Sequence, residues 1–306
     1  MTSRPAISAA PQAPDWVPDA VAAAGARLVP LGAETEGLLW FGPLGVDGLG
    51  PALSAAPEAR WVQLPSAGVD AGLEAGLIDS TRTWTSAKGS FAEPVAEHAL
   101  ALTLAALRRL PERARTRSWG PEFGRTLYEA EVLVVGAGGI ARSFLELLGP
   151  FRTHAVVVRR RPEPVDGARV VTTEGLRDEL GRADVVVLAA ALTDRTRAMI
   201  GAAELAALRP GAVLVNVARG ALIDTDALVA ALRSGQVGAA GLDVTDPEPL
   251  PPGHPLWELP NALVTPHTAD TPEMVEPLLR RRVEENLHRF VRDEPLVGVV
   301  DPRTGY

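Results

Sequence analysis

The stretch from Glu131 to Arg161 restricts this chain most. A short apolar run, Val132 to Val135, meets Gly136-Ala137-Gly138-Gly139-Ile140-Ala141 and then an amphipathic segment, Ser143 to Leu148. That order reads as strand, tight turn and helix. Gly136 permits the turn, Gly138 lets backbone N–H groups approach a pyrophosphate at the helix N-terminus, and the small Ala141 lets the helix pack on the strand. Gly136, Gly138, Gly139 and Ile140 are therefore the expected cradle of a nucleotide phosphate. A glycine-rich hexapeptide alone is equally well an ordinary loop. Here, however, a second apolar run, Ala155 to Val158, follows the helix after Gly149-Pro150. The fingerprint thus sits in the strand-helix-strand unit that a dinucleotide fold requires.

The end of that second strand is where such folds select a cofactor. An acidic residue about 20 positions beyond the glycines takes the ribose hydroxyls of NAD. This chain instead has Arg159-Arg160-Arg161-Pro162. Three guanidinium groups can grip a 2′-phosphate through forked hydrogen bonds, which favours NADP over NAD. The plain alternative is a solvated basic turn, with Glu163 or Asp166 on the ribose.

A length of 306 residues suits two ordinary domains, each with its own core. The formal net charge of −8 and the scatter of the arginines argue against a nucleic-acid partner, which needs clustered positive charge. The chain has no cysteine, which excludes a disulfide framework, thiolate catalysis and a sulfur-ligated metal together. Residues Met1 to Asp15 are polar and proline-rich, unlike a signal peptide or an anchor, and no apolar run approaches ~18 residues. The expectation is a cytoplasmic protein with no membrane partner.

Weak short strands, Arg27 to Pro30, Leu38 to Phe41 and Trp61 to Leu64, alternate with helical patterns before residue 97. Glu97 to Leu110 reads as a helix apolar nearly all round, stopped or kinked by Pro111. Arg113 to Tyr128 is polar, with Trp119 and Phe123, and is expected to cross to a partner subunit. Beyond Arg161 come Arg169 to Thr172, Asp184 to Leu188, Ala212 to Asn216 and Ala239 to Leu242, near-continuous apolar runs of the kind buried on both faces, with helices between them. A long helix spans Thr271 to Val291, and Gly298 to Asp301 can return to the first domain as an added strand. The fold class is therefore α/β, with two Rossmann-like, doubly wound parallel-sheet domains. Residues 98–275 form the dinucleotide-binding domain. Residues 1–97 and 276–306 form a discontinuous, flavodoxin-like substrate domain.

Chemistry-bearing residues crowd the carboxyl ends of the late strands, where open α/β sheets place ligands. Arg219 follows Val215 to Ala218, Glu248 lies beyond Asp243, and His267 follows Leu263 to Pro266. Each alone reads as a surface group, a stiff turn or a packing residue. Together with a dinucleotide fingerprint they fit one chemistry: a guanidinium can orient a 2-oxo acid and polarise its carbonyl, while an imidazolium delivers a proton.

In these motifs the sequence resembles the D-2-hydroxyacid dehydrogenases, the group that includes glyoxylate/hydroxypyruvate reductases and the phosphoglycerate dehydrogenase core. The resemblance runs through Trp61 to Asp70, Val95 to Leu100, the glycine fingerprint, Leu214 to Gly220, Gly241 to Val244, Glu248 to Leu250 and Thr265 to Ala269. It implies that His267 is the general acid/base, that Glu248 is its hydrogen-bonded partner, and that Arg219 binds substrate. It further implies that backbone around Ala67 and Gly68 holds the substrate carboxylate, that Asp243 orients the nicotinamide carboxamide, and that the enzyme is a homodimer using NADP or NAD. A carboxylate beside an imidazole favours the protonated, proton-donating ring. Some positions depart from the family pattern. Ala191 stands where proline is usual, implying a looser loop under the nicotinamide, and Thr245-Asp246 replaces an aromatic-acidic pair. Trp40, Phe41 and Leu64 are alternatively pocket or core. A nucleotide-sensing corepressor or scaffold on the same fold, and another NAD(P)-linked oxidoreductase of the superfamily, are the competing readings.

Overall fold

The structure is a computed structural model that describes residues 4–45, 47–303 and 305. The chain divides into two compact units, Met1–Phe91 with Pro272–Tyr306, and Ala92–Thr271.

In the first unit, strands β1 (Ala6–Ala10), β2 (Arg27–Leu28), β3 (Gly37–Trp40), β4 (Trp61–Gln63) and β5 (Thr83–Thr85) form one parallel sheet in the order β2-β1-β3-β4-β5. This is the flavodoxin-like order. Strand β1 corrects the reading of the first residues as merely polar. Its residues, Ala-Ile-Ser-Ala-Ala, are small and carry little hydropathic signal, yet Ala6 and Ile7 are fully buried because strands flank β1 on both sides. Ser8 is tolerated there because its hydroxyl meets Thr35 Oγ1 at 2.7 Å.

Alternation along the strands sends Leu39 and Trp61 to one face and Leu38 and Val62 to the other. The first face packs on Val283, Leu287 and Phe290 of the helix Pro272–Val291, and the second on Leu49 and Leu53. The C-terminal helix is therefore part of this unit's core. Trp40 and Leu64 are core residues too, buried with Leu38, Val62 and Trp84, which settles the choice between core and pocket for those two. The tail returns beside β5 as expected, though only as an antiparallel bridge between Thr85 and Val299.

In the second unit, β6 (Glu131–Val135), β7 (His154–Val158), β8 (Arg169–Val171), β9 (Val185–Leu188), β10 (Ala212–Asn216), β11 (Val237–Leu242) and β12 (Ala262–Val264) form a parallel sheet ordered β12-β11-β10-β9-β6-β7-β8. The chain winds outward from β6 through β7 to β8, then resumes on the other side of β6 with β9. That reversal is the topological switch point at which open α/β sheets open a crevice for ligands. Val185–Leu188 is buried throughout, as a central strand covered on both faces must be.

The helix expected from Glu97 begins earlier, at Ala92, and ends at Leu107. Pro94 lies in its first turn, where a missing N–H costs nothing. Arg109 then adopts a left-handed φ of 50°, and Pro111 opens a second helix, Leu110–Arg115, instead of stopping the first. The long helix crosses β10 and β11 closely. A Cβ on Gly241 would stand 2.9 Å from Leu102 Cβ, so only glycine admits this approach. Among the described residues no helix is long and apolar enough to cross a membrane.

Candidate active site

Three adjacent parallel strands place the chemistry. Asn216 of β10 pairs with Leu242 of β11, which pairs with Val264 of β12, so the segments after these residues leave the sheet side by side. Asn216 braces the first exit by donating from Nδ2 to Arg219 O (2.9 Å) and accepting from Ala218 N–H (3.0 Å). The turn that follows Arg219 is packed against the second exit. A Cβ on Gly220 would lie 2.0 Å from the Thr245 carbonyl, and Thr225 Oγ1 donates to Asp246 O at 2.6 Å. The loop carrying Glu248 is thereby fixed to the loop carrying Arg219.

His267 and Glu248, 19 residues apart, meet directly: Nδ1 of the ring lies 2.6 Å from Glu248 Oε1. Both side chains are partly open to solvent, so the pair adds little to stability. Its value is orientation. With Nδ1 occupied by the carboxylate, Nε2 is the nitrogen available to an incoming group. His267 also holds a left-handed φ of 51°, costly for a residue with a side chain. Its N–H compensates by donating to Asp243 O at 2.8 Å and Thr265 O at 3.0 Å.

Asp243 is only 2% exposed. Its Oδ1 accepts from Thr265 Oγ1 (2.6 Å) and Thr268 N–H (2.9 Å), its Oδ2 accepts from Ala269 N–H (3.1 Å), and His98 Nε2 stands 3.3 Å from Oδ1. Burial pushes this carboxyl upward, but the bonds from His98, Thr265 and the two amides outweigh it and hold the carboxyl down at about 2. Asp243 is therefore an ionised anchor for the segment that carries His267, with acceptor capacity left on Oδ2 alone. Asp270, three residues beyond His267, carried no signal in the sequence. Burial drives its carboxyl upward and Asp243 adds to this, while the charges of His267 and Arg219 oppose without overcoming it. Arg219, His267 and Asp270 thus share one electrostatic neighbourhood.

The glycine fingerprint lies at the switch point. Gly136 has φ +114°, and a Cβ there would stand 2.4 Å from Ala189 O at the end of β9, so conformation and contact both demand glycine. Gly138 caps the helix Gly139–Leu148 and faces open space. The first N–H groups of that helix, at Gly139 and Ile140, have no intrahelical acceptor and suit a phosphate. The loop after β9 is not loosened by Ala191, because Thr196 Oγ1 donates to Ala191 O at 2.7 Å and accepts from Thr193 N–H at 2.8 Å. The basic turn also differs from expectation. Arg159 is already engaged, with Nη2 2.5 Å from Glu163 Oε2 and Nη1 donating to Glu163 O at 3.1 Å, while Arg160 and Arg161 are exposed.

In the other unit, Ala67 and Gly68 follow β4. Ser66 Oγ donates to Gly68 O at 2.7 Å and Ser66 O accepts from Ala87 N–H at 2.9 Å, which fixes the loop. Among the described residues the N–H groups of Ala67 and Gly68 donate to nothing in the protein.

Residues 100–269 match the family described as D-isomer specific 2-hydroxyacid dehydrogenase, NAD binding domain. A glyoxylate reductase of Aeropyrum pernix is 32% identical over 78% of this chain and 76% of its own length. The crystal structure of a D-isomer specific 2-hydroxyacid dehydrogenase from Xanthobacter autotrophicus, in complex with NADPH and MES, is similar at a TM-score of 0.85 and 30% identity, covering 99% of this chain and all of that one. An NADPH-dependent glyoxylate/hydroxypyruvate reductase from Sinorhizobium meliloti, solved with NADP and sulfate, gives a TM-score of 0.83 at 25% identity over 99% of this chain and all of that one. The glycine turn, the strand order and these likenesses agree: the chain belongs to the D-isomer specific 2-hydroxyacid dehydrogenase family and is an NAD(P)-dependent oxidoreductase acting on CH–OH donors.

Proposed function

We propose that the protein is an NADPH-dependent reductase of small 2-oxo acids, of the glyoxylate or hydroxypyruvate type. The observation that carries this reading is the 2.6 Å bond between His267 Nδ1 and Glu248 Oε1, on a loop fixed to the one bearing Arg219. When bound, the reduced nicotinamide supplies the hydride to the carbonyl carbon. His267 gives the proton on Nε2 to the carbonyl oxygen, and Glu248 stabilises the ring in its charged form through Nδ1–H. Arg219 orients the carboxylate and draws electron density from the carbonyl through its planar donors. The N–H groups of Ala67 and Gly68, in the first unit, suit a carboxylate.

Residues 98–275, which also carry Arg219, Glu248 and His267, would serve the cofactor, and residues 1–97 and 276–306 would serve the substrate. Gly136, Gly138, Gly139 and Ile140 would hold the pyrophosphate. Arg160 and Arg161, with Arg159 released from Glu163, would take the 2′-phosphate, and Asp243 Oδ2 would accept from the carboxamide. The NADPH and NADP bound in the two solved relatives support this choice for the present chain. Trp119, 94% exposed on a polar segment, fits the homodimer expected from the sequence.

The test is oxidation of NADPH and of NADH, followed by absorbance, with glyoxylate, hydroxypyruvate, pyruvate and phenylpyruvate. The reading predicts turnover of the small oxo acids with higher kcat/KM on NADPH. Equal use of both cofactors would overturn the role given to the arginines. No turnover with any oxo acid would overturn the reaction.

A further inference from the structure

His98 lies on the helix Ala92–Leu107, within the stretch Val95 to Leu100. In three dimensions it reaches across 167 residues to the catalytic loop: His98 Nε2 is 3.0 Å from Thr265 Oγ1 and 3.3 Å from Asp243 Oδ1. The proton on that nitrogen follows from its partners. The single hydrogen of the Thr265 hydroxyl goes to Asp243 Oδ1 at 2.6 Å, and the ionised carboxylate has none to give. Nε2 must therefore be the donor, shared between the hydroxyl and the carboxylate.

The bonded set leads straight to His267. Asp243 O accepts from His267 N–H, while the two carboxylate oxygens accept from Thr268 and Ala269 N–H, so the backbone on both sides of the strained His267 hangs on Asp243 and Thr265. Without a donor from the helix, Thr265 and the buried carboxylate each lose a partner, and the anchor can shift by the few tenths of an ångström to which proton transfer is sensitive. The same bonds tie together the two ends of this unit. The helix starts at Ala92, where the chain enters the unit, and the loop runs on to Thr271, where the chain leaves it.

We infer that His98 is a positioning residue, which through its Nε2–H to Thr265 and Asp243 sets the place of the His267 imidazole. This rests on the reading that His267 transfers the proton.

The experiment compares His98→Gln, His98→Asn and His98→Ala in the full chain. A glutamine amide nitrogen falls near the place of Nε2, whereas an asparagine amide nitrogen falls short of it, near Nδ1. Two readouts are taken: amide hydrogen exchange at Thr268 and Ala269, with β6 amides as an internal control, and kcat and KM for glyoxylate with NADPH. The expected result is faster exchange at Thr268 and Ala269 in the Asn and Ala variants with β6 unchanged. A kcat loss of about tenfold at little-changed KM accompanies it, and the Gln variant recovers both. Unchanged exchange in His98→Ala, or a Gln variant as defective as Ala in both readouts, would overturn the proposal. If the exchange pattern appears as expected while His267→Ala keeps wild-type turnover, the positioning stands and it is the reaction assignment that has failed.

Discussion

Asp243→Asn probes the anchor of the loop that bears His267, and its cost follows from the structure. The carboxyl is held at about 2, against an ordinary value of 3.8, in spite of nearly complete burial. A folded-state value below the unfolded one means that ionisation stabilises the fold. That contribution is fully present above pH ~4, amounts to about 2 kcal/mol, and is lost as pH falls towards 2. Asparagine removes it and also turns an N–H towards either Ala269 or Thr268, which orphans one backbone donor for a further ~1–3 kcal/mol. Urea unfolding of wild type and variant, followed by circular dichroism from pH 7 down to pH 2.5, measures both parts. The gap should be several kcal/mol at pH 7 and should narrow by roughly half of its charge part near pH 3. A gap that stays constant with pH would show that the charge of Asp243 adds nothing and that the bond network has been misjudged.

The two fingerprint glycines should separate by role. Gly136→Ala, with φ +114° and a backbone oxygen 2.4 Å from the new methyl, is expected to lower folded yield and thermal stability, whereas Gly138→Ala, facing open space, should fold normally and lose NADPH affinity in a fluorescence titration. Glu248→Gln should leave stability within ~0.5 kcal/mol of wild type, since the carboxylate is well exposed, yet reduce kcat for glyoxylate about tenfold or more in steady-state assays. Asp270→Asn should stabilise the fold at neutral pH, because a carboxyl raised in the folded state opposes folding once pH exceeds its unfolded value. The gain should vanish below pH ~3.5 in the same urea titration.

The second unit was legible because its strands are apolar runs buried on both faces, and because a glycine with a forced conformation marks the switch point. The first unit was less so. Strand β1 buries alanines and a serine, and β5 is Thr-Trp-Thr, so neither shows the hydropathic contrast that period-two reasoning needs. At the site, Arg219, Glu248 and His267 could be named because each follows a recognisable strand or motif. Asp270 and the role of His98 could not, since one depends on which charges surround it and the other on a bond spanning 167 residues. The grip of Glu163 on Arg159 was hidden for a smaller reason. A turn containing Pro162 and Pro164 decides whether residues four apart meet, and composition does not fix that geometry.

The proton is proposed to come from the imidazole that Glu248 orients. The most direct measurement sets the turnover of His267→Ala with glyoxylate beside its affinity for NADPH. The prediction is a fall in kcat of ~10²-fold or more with NADPH affinity within about twofold of wild type. Retained turnover, or a rate loss matched by an equal loss of NADPH binding, would contradict it.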